Sequence, residues 1–223
     1  MIYRDRIEAG NYLATRLLKY ANRDNVIVLA LPRGGVPVAY EVARQLKAPL
    51  DIFVVRKLGV PGHEELAMGA IATGDVRILN EEVVETLGIP EYIIDAITTQ
   101  ELKELRRREV EYRGNRPEPD VKDKMVILID DGLATGSTMR AAVAALRQQQ
   151  PARIVVAVPV SAIETCDEYR MGSDEIVCGA TPDPFYGVGL WYHDFTQTTD
   201  EEVRALLEHA RDGIESRELV NTR

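Results

Sequence analysis

Two aspartates stand side by side at the end of an apolar run in VILIDDGLATGST (126–138), and a turn of small and hydroxylated residues follows them. An ionised carboxylate accepts hydrogen bonds and donates none. Adjacent Asp130 and Asp131 therefore suit two neighbouring hydroxyl donors, such as the 2- and 3-hydroxyls of a ribose. Ala134, Thr135, Gly136, Ser137 and Thr138 lead from the apolar run into a helical pattern. The open amides and positive dipole end of a helix start attract an anion. Gly136 permits close backbone approach, and the three hydroxyls add donors. Together these features read as a cradle for a ribose 5-phosphate, with phosphate on the loop and sugar diol on the carboxylates. The competing reading is a plain turn in which an aspartate caps the next helix.

Other phosphate motifs fit worse. Gly132 and Gly136 enclose three residues with no lysine following, which is not a Walker loop, and no G-x-G-x-x-G follows the first strand. The chain has 223 residues, 45% apolar and 28% charged, which fits one globular domain spanning 1–223. A net charge of −9 argues against a nucleic-acid partner, because phosphate backbones require a positive field. Cys166 and Cys178 make neither a zinc spacing nor a disulfide framework and are expected to be reduced core residues. No apolar run reaches the roughly 18–20 residues of a membrane span, and the N-terminus carries no apolar signal core. A cytoplasmic location is the expectation.

The elements that must position the cradle follow from periodicity. Residues 5–21 predict an amphipathic helix with Ile7, Leu13, Leu17, Leu18 and Ala21 on one side. VIVLAL (26–31), LDIFVV (50–55), MVILI (125–129), ARIVVAVPV (152–160) and EIVC (175–178) predict five buried strands. Helical patterns lie between them, including Met139, Ala142, Val143 and Leu146 at i, i+3, i+4 and i+7. Residues 81–113 are mostly helical, and Arg106, Arg107 and Arg108 stand among Glu104, Glu109 and Glu111 as a solvated, ion-paired face. This cadence predicts an α/β fold, a doubly wound and mostly parallel five-stranded sheet with helices on both faces. Ligands of such sheets bind at the carboxyl ends of strands where strand order reverses.

VILIDDGLATGST closely resembles the phosphoribosyl pyrophosphate (PRPP) signature of the type I phosphoribosyltransferases. ALPRGGVPVA (30–39) looks like that family's pyrophosphate loop, in which an often cis peptide turns amides toward a diphosphate. The resemblance covers roughly 26–195 and is strongest to poorly characterised bacterial members, in which LPRGGVPVA, a KLGVPGHEELAMGAI-like loop and TPDPFYGVG recur together. It implies a core of about 26–178, a flexible β-hairpin lid over 58–79 and a small C-terminal hood over about 179–195. It further implies that 134–138 bind the 5-phosphate of PRPP and that Asp130 and Asp131 bind its ribose, touching Mg²⁺ indirectly through hydroxyls or water. By the same match Arg33, Gly34, Gly35, Arg56 and Lys57 hold pyrophosphate, and Phe185, Tyr186, Trp191 and Tyr192 are base-contact candidates. His63, Glu64 and Glu65 of the lid are proton-transfer candidates, with solvated loop residues as the simpler reading; His193 and His209 read as surface residues.

The implied activity is PRPP-dependent transfer of the 5-phosphoribosyl group to a nitrogenous base or related nitrogen nucleophile, with Mg²⁺ as cofactor and pyrophosphate released. A PRPP-binding regulator on the same fold is the alternative. A homodimer is expected only because dimers are common in the family.

Overall fold

The structure, a computed structural model, describes residues 2–221. Runs rich in β-branched residues and leucine form its parallel strands. β1 (Val26–Ala30) and β6 (Met125–Ile129) are enclosed almost throughout, and they pair in parallel with Ala30 opposite Ile129. β2 (Leu50–Ile52) extends the sheet beyond β1, while β7 (Arg153–Val160) and β8 (Glu175–Ala180) extend it beyond β6. The order is β2-β1-β6-β7-β8, all parallel. The chain builds outward from β1 to one edge, then from β6 to the other. Strand order therefore reverses between β1 and β6, and their carboxyl ends flank the crevice where such sheets take ligands.

Strand alternation sorts the apolar residues into two cores. Val26, Val28 and Ala30 face α1 (Arg6–Leu17) and α2 (Gly35–Leu46), together with α4 (Glu91–Arg113) and α7 (Asp200–Asn221). Ile27 and Leu29 face α5 (Ser137–Gln148), where Met139, Ala142, Val143 and Leu146 are buried as their spacing required. The two-sided covering of the sheet is thus as expected. In α1, Leu13 and Leu17 are buried, but Ile7 and Leu18 are exposed. The α-helix ends at Leu17, and the tighter 3₁₀ turn after it swings Leu18 off the apolar stripe.

One expected strand divides. Residues 50–55 do not run as a unit: Phe53 and Val54 leave β2 and cross to a separate antiparallel sheet of β3 (Val55–Val60), β4 (His63–Ala72) and β5 (Val76–Leu79). Arg56 and Lys57 consequently stand in that second sheet and not at the carboxyl end of β2. Both segments are buried, so an apolar run carries no mark of the change of sheet. Ala72 pairs with Val76 across the Thr73-Gly74-Asp75 turn, the hairpin that alternation around TGD suggested. α3 (Glu81–Thr86) then leads into α4.

A buried polar network stitches the crossing. The Val54 amide donates to Thr73 Oγ1 (2.9 Å), and Thr73 Oγ1 donates to Glu109 Oε1 (2.7 Å). Arg113, 2% exposed, pairs with Asp51 at 3.0 Å and Glu109 at 3.7 Å and donates to the Ile52 carbonyl at 3.1 Å. Glu109 therefore departs from the expected solvated face, whereas Arg107 and Arg108 pair with Glu104 at the surface as anticipated. Burial pushes the Glu109 carboxyl upward, against the Thr73 hydrogen bond and the Arg113 charge.

The cysteines also differ from expectation. Cys166 of α6 (Ile163–Gly172) and Cys178 of β8 form a disulfide. They stand twelve positions apart, and the return of the chain from helix to neighbouring strand brings their Cα atoms to 6.6 Å. Among the described residues no helix is long and apolar enough to cross a membrane.

Removing one member of a buried charge cluster strands the others in low dielectric. Arg113→Leu should cost about 3–5 kcal/mol in urea unfolding, while Arg107→Ala, which breaks an exposed fork, should cost less than about 1 kcal/mol.

Candidate active site

Three segments meet at the β1/β6 crevice. The Leu31 amide donates to the Ile129 carbonyl at 2.9 Å, so the strand ends are tied where their loops begin. The peptide between Pro32 and Arg33 is cis, and Gly34 and Gly35 start α2. A Cβ on Gly34 would lie 2.1 Å from Asp131 Oδ2, and one on Gly35 would lie 2.8 Å from the Ile129 carbonyl. The PRGG turn therefore rests directly on the acid pair, at a distance only glycine permits. The Arg33 side chain reaches the start of α7, 3.9 Å from Asp200, whose carboxylate also accepts from the Tyr112 hydroxyl at 2.6 Å.

The acids are half-enclosed. The Asp131 amide donates to Asp130 Oδ1 at 2.8 Å, and Arg6 lies 2.9 Å from Asp131 Oδ2 through both Nε and Nη2. The Tyr192 hydroxyl donates to the Asp131 carbonyl at 2.6 Å. Burial first, and then the Asp131 charge, push the Asp130 carboxyl well above the usual range. Asp131 is also raised by burial, with Arg6 pulling against it.

The loop 134–138 is held from behind. Thr165 Oγ1 donates to the Ala134 carbonyl at 2.7 Å, the Tyr169 hydroxyl donates to the Gly136 carbonyl, and Arg140 donates to the Thr135 carbonyl. Gly136 sits at φ 69° ahead of α5, where a Cβ would strike the Tyr169 ring at 2.8 Å. The carbonyls are thus held by α6 and Arg140, while the first-turn amides of α5 have no intrahelical acceptor. Ser137 and Thr138 lie beside them, and Thr138 is exposed.

The remaining expected residues divide. Lys57 shares a cavity of about 320 Å³ with Ser137 and Thr138, between the antiparallel sheet and α5. Its ammonium donates to the Glu65 carbonyl at 3.0 Å. Arg56, one residue away on the strand and so on the opposite face, pairs instead with Glu101 of α4 at 2.7 Å. The structure does not bring Arg56 to the acids. His63, Glu64 and Glu65 are exposed at the β3–β4 turn, and His193 and His209 are exposed as well.

The aromatic group is split too. Tyr192 is 5% exposed, 5.6 Å from the Tyr3 ring and 5.0 Å from Phe195, and it braces an acid's main chain without presenting a ring face to a ligand. Phe185 and Trp191 pack on the same cluster, and Tyr186 is largely exposed. Val188 covers Gly132 immediately beside the acids. Arg6, Thr165, Tyr169 and Val188 were invisible as site residues in the sequence, because each acts on a segment distant in the chain and none belongs to a motif.

Residues 2–180 match the family described as the phosphoribosyl transferase domain. The chain belongs to that family. It is 44% identical over 209 residues to a Mycobacterium tuberculosis H37Rv protein provisionally named a phosphoribosyl transferase, a match covering 94% of this chain and 47% of that protein. The chain thus spans about half the length of the curated relatives it matches first. The bifunctional protein PyrR of Pediococcus pentosaceus is 31% identical over 134 residues, 59% of this chain and 71% of that one. Among solved structures, TT1426 from Thermus thermophilus is 40% identical with a TM-score of 0.83, covering 93% of this chain and 98% of that chain. Membership of the phosphoribosyl transferase family, its α/β fold and the likeness to bacterial members, all expected from the motifs, are therefore established.

The raised Asp130 carboxyl gives a signed pH effect. A carboxyl whose folded pKa lies above its unfolded value contributes nothing when both states are protonated and destabilises progressively as pH rises from the unfolded pKa to the folded one. Asp130→Asn should therefore raise Tm at pH 8 and leave it unchanged at pH 3, by differential scanning calorimetry. An equal gain at both pH values would rule out the charge as the cause.

Proposed function

We propose that this chain catalyses transfer of the 5-phosphoribosyl group of PRPP to a nitrogen nucleophile with release of pyrophosphate. The observation that carries the reading is the contact of Gly34 with Asp131, which sets a diphosphate-type loop against a diol-type acid pair. In this reading the amides of 134–138 and the hydroxyls of Thr135, Ser137 and Thr138 hold the 5-phosphate. Asp130 and Asp131 accept the ribose 2- and 3-hydroxyls. Amides of the Pro32–Gly35 turn and the Arg33 guanidinium take the leaving diphosphate, with Lys57 approaching from the antiparallel sheet. Arg56 serves this reading less well, since its charge is already satisfied by Glu101.

Positive charge develops at C1 and the ring oxygen as the diphosphate departs. The negative potential of the acid pair lies on the sugar side and opposes that build-up, while fixed amides receive the leaving group without reorganising. Among the described residues no group of three or more His, Cys, Asp or Glu side chains forms a metal cage. Two carboxylates beside a diphosphate loop fit a Mg²⁺ ion held mainly by phosphate oxygens and water. When bound, that ion neutralises charge on the leaving diphosphate. In this reading the antiparallel sheet, whose β3–β4 turn is exposed, covers the bound substrate and keeps water, the competing nucleophile, away from C1.

Incubation with PRPP, Mg²⁺ and a panel of purine and pyrimidine bases should release pyrophosphate with at least one base. Asp130→Asn combined with Asp131→Asn should lower that turnover by about a hundredfold or more. PRPP binding without pyrophosphate release for any base would instead assign a binding role.

A further inference from the structure

The N-terminal helix contributes one residue to the acid pair. Arg6, the first residue of α1, directs Nε and Nη2 at the same oxygen of Asp131, Oδ2, each at 2.9 Å. Its third nitrogen, Nη1, donates to the Thr196 carbonyl at 2.8 Å. The guanidinium carbon lies 4.0 Å from the centre of the Phe195 ring, and the side chain is 11% exposed. Asp5 caps the helix behind it by accepting the Glu8 amide at 2.8 Å. Each of the three guanidinium nitrogens is therefore held within the chain, two by Asp131 and one by Thr196, and their placement does not depend on a ligand. A lysine could not reproduce this arrangement, because it lacks both the planar fork and the flat face.

The approach is side-on, onto one oxygen, and this decides what the acids can offer. Asp130 Oδ1 is taken by the Asp131 amide, and Asp131 Oδ2 is taken by Arg6. Asp130 Oδ2 and Asp131 Oδ1, one oxygen from each residue, lie outside those two contacts. A vicinal cis-diol presents two donors side by side.

We propose that Arg6 is a positioning residue that makes the acid pair selective for a ribose, with both hydroxyls present, over a 2-deoxyribose. The proposal rests on the PRPP reading of the site and assigns the sugar selectivity of that reading to a residue outside its motifs. Arg6 touches no reacting atom in this role. It acts by holding Asp131 so that its free oxygen faces the sugar.

Calorimetric titration of the full chain with ribose 5-phosphate and 2-deoxyribose 5-phosphate separates positioning from scaffolding. The wild-type protein should prefer the ribose compound by about tenfold or more, as loss of a hydrogen bond to a charged group predicts. Arg6→Met should bring the two affinities within about threefold of each other, chiefly by weakening the ribose compound, because the freed carboxylate no longer holds its angle. Arg6→Lys should fall between, since it keeps the charge and loses the fork.

If both variants fold, as judged by circular dichroism, and keep the wild-type ratio, the proposal is overturned while the cradle reading stands. Equal weakening of both sugars is the signature of a purely structural role and also overturns it. A wild-type protein that does not distinguish the two sugars would remove the cradle reading itself, and the proposal with it. Should Arg6→Met fail to fold, Arg6→Lys decides alone: an unchanged ratio overturns the proposal, and a reduced ratio supports it.

Discussion

The parallel pairing of β1 with β6 is the constraint from which the site follows. These two strands are far apart in sequence, yet their register places Ala30 opposite Ile129, and so the loops that leave them must begin at the same level. One loop is the cis-containing PRGG turn and the other carries Asp130 and Asp131. Had the register slipped by one residue, the side chains of the slipped strand would have exchanged cores, at the cost of burying the wrong faces. The apolar packing that fixes the register therefore also fixes the distance between the two polar loops. Glycine at 34 and 35 is the local consequence, since any side chain there would collide with the acid pair or the end of β6.

That closeness has an electrostatic cost, which is met only in part. Two adjacent carboxylates in an enclosed crevice repel each other and have lost water, so both are harder to ionise than free acids. Arg6 offsets part of this for both acids, by direct contact with Asp131 and through its charge alone for Asp130, which also accepts a neighbouring amide. A site of this kind is less stable empty than it could be. Binding sites commonly hold such strain, which is why substitutions that remove it stabilise the fold and abolish its use.

Much of this was legible from sequence because the motifs are local. The acid pair, the amide loop and the PRGG turn each lie within a few residues, and their meaning depends on backbone chemistry that the residue types declare. The five parallel strands were legible for the same reason, as runs enclosed on both faces. What was not legible depends on contacts between distant segments. Phe53 and Val54 leave the main sheet without any break in hydrophobicity, so Arg56 and Lys57 were assigned to the wrong sheet, and the alternation of β3 then turned Arg56 toward Glu101. Arg6 lies 125 residues from its partner and looks in sequence like any charged residue in a helix's first turn. The aromatic run 185–192 offered base-contact candidates, but aromatic content does not reveal which ring is buried, and the Tyr192 ring lies 5.6 Å from that of Tyr3.

The support behind the amide loop shows how these layers connect. Thr165 and Tyr169 of α6 both hold loop carbonyls, and Cys166, lying between them in the chain, is bonded to Cys178 of β8. The loop's carbonyls are thus anchored to a helix that is itself anchored to the sheet. A phosphate bound by backbone amides gains little from amides that can turn away, since each reorientation spends interaction energy on ordering the loop. Fixing the carbonyls fixes the planes of the adjoining peptides, and so aims the amides before any ligand arrives. The acids are treated alike, with Arg6 and Tyr192 in place of α6. In both halves of the site the groups facing the crevice are simple and local, while the groups that hold them come from remote parts of the chain. Preorganisation here is a property of the tertiary fold, and the motif alone does not contain it.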